Sequence, residues 1–314
     1  MARRSAARSL PRSFRRTRLF VLANLVVWIG IVGWYVAQPP ERRADVERLA
    51  RNAFIRDKEV SAFDVAWDLW QLYRLDSAVS ATAPGDRTHV YGGAPRGRQP
   101  VRVLVNSGYV VGYSDDHGVP LWAAYRVRDD EFGEAPPRPG TFSVDRRTSA
   151  RIDPADYARS GFDRGHLAPS HAIALHHGRR AQEETFLMSN IVPQRHALNS
   201  GPWRDLERRI ARNYPARFGE VWVLVGPILG ERPARLRGRV AVPEAFFAVI
   251  VDEVEGRVRA QAFVFPQGAT ADASPAGFRA SIDEIERRTG LDVLHELPDP
   301  AEATLEATIT SRWW

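Results

Sequence analysis

The chain has 314 residues, 44% hydrophobic and 26% charged, enough to bury a full core in one large domain or two small ones. It has no cysteine, which excludes disulfides, thiolate zinc sites and cysteine nucleophiles. The net charge of +6 does not mark a nucleic-acid binder, because residues 1–40 carry seven arginines and no acid, leaving the remainder at −1. Its local distribution is more telling. Residues 138–180 hold eight arginines against four acids, and 195–217 hold six against two, whereas 250–314 hold six against twelve acids. A near-neutral body with one arginine-rich flank suits a polyanion held on that flank.

In chain order, a basic stretch (1–18) precedes the apolar run 19–38, whose Leu19–Ala37 core reads LFVLANLVVWIGIVGWYVA. About 20 apolar residues cross a bilayer as a helix. Seven arginines on one side only predict a cytoplasmic N-terminus and an exported remainder, periplasmic or extracellular. A cleavable signal peptide is the rival, but bulky Tyr35 sits three residues from the only cut site, after Ala37. The arginine-rich, acid-free start also fits a mitochondrial address.

Residues 41–82 predict a helical juxtamembrane segment, with Val46, Leu49, Ala50 and Phe54 at helical spacing and FDVAWDLWQLY as a second apolar face. Residues 81–100, rich in Gly, Pro and Arg, read as a linker. Thereafter short strands dominate: VRVLVNSGYVVGYS around a Gly108 turn, LWAAYRV, and runs at 221–226, 246–251 and 259–265. Helical patterns occupy roughly 202–213 and 278–289. Mixed order with few βαβ alternations predicts an α+β fold around a central antiparallel sheet with flanking helices.

Three pieces carry chemistry. GFDRGHLAPS holds Asp163, Arg164, Gly165 and His166; TFLMSNIVPQ is a strand signal with Asn190; HALNSGPWRDLERRIARNY places Asn199 before a helix bearing Glu207. Gly201-Pro202 opens that helix, and Trp203, Leu206 and Ile210 form its buried stripe. A histidine titrating near neutrality can take a proton from water. One asparagine amide with a nearby carboxylate suits hydrated Mg²⁺, which accepts few protein ligands. Guanidinium groups neutralise phosphate oxygens. Together these predict phosphodiester hydrolysis.

DRGH at 163–166, followed by TF-x-x-SN-x-x-PQ-x-x-x-x-N at 185–199, Trp203 and Glu207, closely resembles the DNA/RNA non-specific endonucleases of the ββα-metal fold. The likeness spans about residues 100–300, through GYVVGYSDDHGVPLWAAYRV, VLVGPIL, VPEAFFAVIVDE and IDEIERRTGLDVL. It implies a nuclease domain at 83–302, a C-terminal tail at 303–314, and Mg²⁺ as cofactor with Mn²⁺ as the alternative. The implied substrates are DNA and RNA, cleaved without sequence preference to leave 5′-phosphate ends. A homodimer is a candidate assembly, and the membrane is a partner through the N-terminal anchor.

By the same resemblance His166 is the general base, Asn199 the direct metal ligand and Glu207 the holder of metal-bound water. Asn190 helps fix the site and Arg164 contacts phosphate. Activity should rise through about pH 6–7 as the histidine becomes neutral. Two arginines of the family lack a plain counterpart. One falls at Ala211, with Arg208 or Arg212 as substitutes; for the other, upstream of DRGH, Arg138, Arg146 and Arg147 are candidates.

Taken singly, each of these residues has an ordinary explanation: a core histidine, a helix-start asparagine, a solvated glutamate. His171, His176, His177 and His196 lie close enough in sequence to suggest zinc, but they lack the helix-plus-Glu pattern of a zinc hydrolase. The rival function is a membrane-tethered, inactive nucleic-acid-binding protein on the same fold; intact DRGH, Asn199 and Glu207 speak against it.

Overall fold

The computed structural model describes residues 12–74, 78–129, 135–254 and 256–314. The chain forms two units, divided after Glu47. The first contains helix α1 (Arg12–Val36), whose Arg18–Val36 stretch is long and apolar enough to cross a membrane, and the start of α2 (Pro40–Asn52). The second runs from Arg48 to Trp314, so the expected juxtamembrane segment 41–82 straddles the division. Its helix α3 (Ala62–Arg74) belongs to the larger unit.

An eight-stranded antiparallel sheet organises that unit. The strands are β1 (Val79–Ser80), β2 (Arg102–Val105), β3 (Val110–Ser114) and β4 (Val119–Arg128). After a separate ribbon of β5 (Asp163–His166) and β6 (Ile191–Gln194) come β7 (Glu220–Ile228), β8 (Ala245–Val254), β9 (Arg257–Pro266) and β10 (Arg279–Ala280). The sheet order is β1-β9-β8-β7-β4-β3-β2, with β10 paired to β9. Asn106 N–H to Tyr109 O (2.9 Å) closes the turn expected around Gly108.

The alternation of side chains along each strand feeds two cores. Tyr109, Val111, Tyr125, Val223, Phe246 and Phe263 pack on one face; Trp122, Trp222, Leu224, Phe247 and Val249 pack on the other. Because both faces are covered, the strands read as continuous apolar runs. Gly112 allows this packing at one point, since a Cβ there would meet the Trp122 ring at 2.2 Å.

The first face carries α4 (Ser170–Glu184), α5 (His196–Ser200), α6 (Pro202–Arg208), a π-helical turn at Arg209–Asn213, and α7 (Tyr214–Phe218). The second is covered by α8 (Ile282–Thr289), α9 (Asp299–Ala307) and the irregular 81–97 stretch. That stretch is packed rather than loose, with Tyr91 buried and its hydroxyl donating to Glu253 Oε2 (2.7 Å). Helix α8 begins later than its apolar pattern suggested, because Arg279–Ala280 pairs with β9 and Ser281 caps the Glu284 N–H (3.1 Å). The last residue, Trp314, is buried beside Tyr214 and Phe218.

Arg217 fastens α3 to the body. Its guanidinium, 1% exposed, donates to Asp68 Oδ2 (2.7 Å) and Oδ1 (2.8 Å) and to Asn213 Oδ1 (3.1 Å). Removing Asp68 leaves the buried guanidinium with only the longer Asp64 pair (3.7 Å), so Asp68→Ala should cost about 3 kcal/mol in denaturant unfolding, the low end for a broken buried pair. Breaking the exposed Arg179–Glu183 pair (3.0 Å) should cost no more than about 1 kcal/mol in the same measurement.

Candidate active site

The β5–β6 ribbon sets Asp163 opposite Gln194 and His166 opposite Ile191. Strand alternation therefore turns Arg164 and His166 to one side, and Asp163 and Gly165 to the other. A Cβ at Gly165 would lie 2.0 Å from Gln194 Oε1. Only glycine lets the buried Gln194 side chain cross the ribbon there.

His166 is 8% exposed and packs against two phenylalanines, with ring centroids 5.5 Å from Phe142 and 5.0 Å from Phe186, which themselves meet at 5.0 Å. Each phenylalanine is capped by an arginine: Arg164 over Phe142 at 5.5 Å, Arg138 over Phe186 at 5.3 Å. Arg164 is further held by the Pro154 carbonyl, which accepts from its Nη2 (2.9 Å) and Nε (3.3 Å). His166 Nε2 is buried and has no partner among the described residues.

Asn199, on α5, donates its Nδ2 to Asp163 Oδ2 (3.0 Å), an oxygen that also meets His196 Nδ1 at 2.8 Å. The carboxylate fixes which end of the amide is nitrogen, leaving Oδ1 as the end without that anchor. Glu207, on α6, accepts from Trp203 Nε1 through Oε1 (3.0 Å), the two being one helical turn apart. Trp203, Leu206 and Ile210 are buried as the apolar stripe required.

His166, Arg164, Asn199, Glu207, Arg138, Arg208 and Arg212 line one cleft of about 480 Å³. Asn190, expected among the catalytic groups, is not in it. It is fully buried, with Oδ1 accepting from Ala168 N (2.9 Å) and Nδ2 donating to the carbonyls of Ala168 (2.9 Å) and Thr185 (3.0 Å). It braces the backbone just after His166, and no polar atom is left for substrate.

Both arginines offered in place of the one missing at Ala211, Arg208 and Arg212, line the cleft, and a π-helical turn bears on the position of the second. Ala211 is buried, and its carbonyl accepts from His176 Nε2 (2.8 Å). A π turn stacks residues five apart rather than four. It therefore brings Arg212 onto the side of Glu207, where both line the cleft. Arg212 is steadied by the Asp57 carbonyl (3.2 Å) and His171 Nε2 (3.3 Å), and Arg208 by Glu59 (3.5 Å). Upstream, Arg138 is the candidate that reaches the cleft. Arg147 is tied instead to Asp145 (2.7 Å), Asn106 Oδ1 (2.8 Å) and Val105 O (3.1 Å).

Four contributors had no role in the sequence reading: Asp163, Phe142, Phe186 and Arg204, the last also lining the cleft. Arg204 had a signal, lying three residues before Glu207 and hence on the same helical face. Asp163 and Phe186 sit inside quoted motifs, but nothing in one sequence says what they touch.

Burial, with the Arg138 guanidinium close by, lowers the His166 imidazole to about pKa 3. The ring is thus neutral throughout the physiological range, and the rise in activity expected through pH 6–7 cannot come from it. Burial likewise pushes the Glu207 carboxyl up to about 8, against the pull of the Trp203 hydrogen bond and of Arg138. Because the folded value for His166 lies below the unfolded 6.5, the folded form binds fewer protons. Stability should fall as pH drops below about 6.5 toward about 3. NMR of ring-labelled protein should show the His166 signal still neutral at about pH 5, where an ordinary histidine is protonated.

The sequence profile of the DNA/RNA non-specific endonucleases matches residues 88–300. A nuclease of Nostoc sp. is 26% identical over 245 residues, covering 72% of this chain and 88% of that protein. Mitochondrial endonuclease G of Homo sapiens is 32% identical over 200 residues, covering 58% of this chain and 66% of that protein. A nuclease of Serratia marcescens is 29% identical over 227 residues, covering 68% and 83%. The crystal structure of an EndoG/EndoGI complex superposes with a TM-score of 0.56 at 27% identity, covering 63% of this chain and 87% of that one. With the profile spanning two thirds of its length, the chain belongs to the DNA/RNA non-specific endonuclease family and is a nuclease.

Proposed function

We propose that this nuclease is a divalent-cation-dependent endonuclease of DNA and RNA, using Mg²⁺ with Mn²⁺ as a substitute and leaving 5′-phosphate ends. The observation that carries the reading is the meeting of His166, Asn199, Glu207 and five arginines in one cleft of about 480 Å³.

The donor set fits a hard cation. Asn199 presents an amide oxygen on a side chain whose nitrogen is already tethered to Asp163. Glu207 is a carboxyl that burial keeps protonated up to about pKa 8, a cost that a nearby positive ion removes. Asn199 would hold the ion directly, and Glu207 through its hydration water. Once bound, Mg²⁺ would supply positive charge at the phosphoryl and departing 3′ oxygens.

The rest is the work of this chain's side chains. His166, neutral and partly dry, takes the proton of the attacking water. Its two phenylalanine neighbours hold the ring plane, so little reorganisation accompanies the transfer. Arg164 and Arg138, fixed over those same rings, meet phosphate oxygens beside the imidazole. Arg204, Arg208 and Arg212 extend the positive lining along α6 and the π turn, binding the backbone without reading base sequence.

Loss of a general base costs typically about 10²–10⁴-fold. His166→Ala should therefore nearly abolish plasmid cleavage while nucleic-acid binding survives. Asn199→Ala should be comparably severe and raise the Mg²⁺ demand. Glu207→Ala should cost about 10–100-fold and be partly rescued by excess Mg²⁺. Undiminished cleavage in EDTA, or full activity of His166→Ala, would overturn the mechanism.

The N-terminal helix is read as a retained anchor, with the seven arginines cytoplasmic and the nuclease exported, mitochondrial delivery being the alternative. Export keeps a non-specific nuclease away from cytoplasmic nucleic acid. Reporters fused after residue 60 should work only when they are of the export-dependent kind. Activity of a cytoplasm-only reporter there would rule this topology out.

A further inference from the structure

The 48–61 stretch lies upstream of the family-matched span, yet it is fastened to the nuclease body through Asn52, Asp57, Lys58 and Glu59. Asn52, fully buried, donates to Ala216 O (2.7 Å) and Asp129 Oδ2 (2.9 Å). Lys58 donates to Asn52 Oδ1 (3.0 Å) and pairs with Asp129. Arg212 holds the Asp57 carbonyl, and Asn213 Nδ2 holds that of Glu59 (2.9 Å). Glu59 accepts a left-handed backbone (φ 54°), a conformation that disfavours a non-glycine residue unless its surroundings hold it. A stretch this firmly placed is a wall, and it borders two cavities.

Glu59 lines the cleft of His166. Ile55, Asp57 and Lys58 line a second cavity of about 750 Å³. The two share Arg138, Ser170, His171 and Arg212, so they are neighbours across one partition. Among the described lining residues of the second cavity, Lys58, Arg128, Arg138 and Arg212 face only Asp57 and Asp129 as acids. Its apolar lining, Ile55, Leu175, Pro136 and Pro215, suits the face of a nucleobase. Gln182, 2% exposed, also lines it; its Nε2 is held by Pro136 O (3.1 Å), while Oε1 has no partner among the described residues. A buried acceptor without a donor costs free energy unless a ligand supplies one.

We propose that the 55–59 segment completes a flanking subsite, in which the strand next to the scissile phosphate lays a nucleotide into the larger cavity. Backbone phosphate is received by Lys58 and Arg212, and a base N–H is received by Gln182 Oε1. The proposal rests on the nuclease reading of the adjoining cleft. It makes the pre-domain segment part of substrate recognition, not a spacer alone.

The test uses the full-length protein in detergent and single-stranded oligonucleotides with one cleavable phosphodiester, all other linkages being phosphorothioate. Lengthening them on one side of the cleavable bond should raise kcat/KM by about tenfold, the order of one added base contact. Ile55→Trp, at a half-exposed position, fills the cavity by bulk; Lys58→Gln removes the ammonium. Both should abolish most of the length gain, yet hydrolyse a thymidine aryl phosphodiester, which reaches only the His166 cleft, at the unaltered rate. A length gain kept intact by both variants, or absent from the unaltered protein, overturns the subsite. No Mg²⁺-dependent hydrolysis of even the aryl diester would instead overturn the nuclease mechanism beneath it.

Discussion

The β5–β6 ribbon is a strip of four residues on each side, and its register sets which way Asp163, Arg164 and His166 point. Were Asp163–His166 to slip by one residue against Ile191–Gln194, His166 would turn away from the phenylalanines and Asp163 away from Asn199. Gly165 enforces the register, because the Gln194 side chain passes where any Cβ would stand. One short signature thus does two jobs on its two faces. Arg164 and His166 line the cleft; Asp163 holds the neighbouring asparagine and Gly165 admits the side chain of the opposite strand.

Desolvation is the second organising influence. It takes the proton off the histidine and puts one on the glutamate, moving two groups in the same cleft in opposite directions. The arginines do not undo this. Several are drawn toward rings or carbonyls: Arg164 to Phe142 and Pro154, Arg138 to Phe186, Arg212 to Asp57. Their planes are set before any phosphate arrives, which lowers the ordering cost of binding.

Much of this was legible in the residues. Strand runs such as FFAVIV and the Trp203, Leu206, Ile210 stripe declared themselves by periodicity, and DRGH with Asn199 and Glu207 pointed to one cleft. Asn190 was legible as a motif member but not as a backbone brace, since that depends on carbonyls from Ala168 and Thr185 folding over it. The mutual packing of Phe142, His166 and Phe186 joins three segments spread over more than forty residues. The π turn that brings Arg212 into line is a local departure from helical spacing, which a reading at 3.6 residues per turn passes over. The histidine's depressed pKa was likewise out of reach, being a property of the surroundings and not of the residue type.

That same π turn bears on how the cleft tolerates change in chain length. A helix with one wide turn contains a residue more than a regular α-helix needs to cover the same rise. Deleting Ala211 would let the turn tighten to α geometry with Ile210 kept in the buried stripe, and the arginine would move back by one place in sequence while keeping its seat in space. The cleft lining on this helix is therefore buffered against a single-codon loss, a kind of change that elsewhere in a helix rotates every later side chain by about 100°.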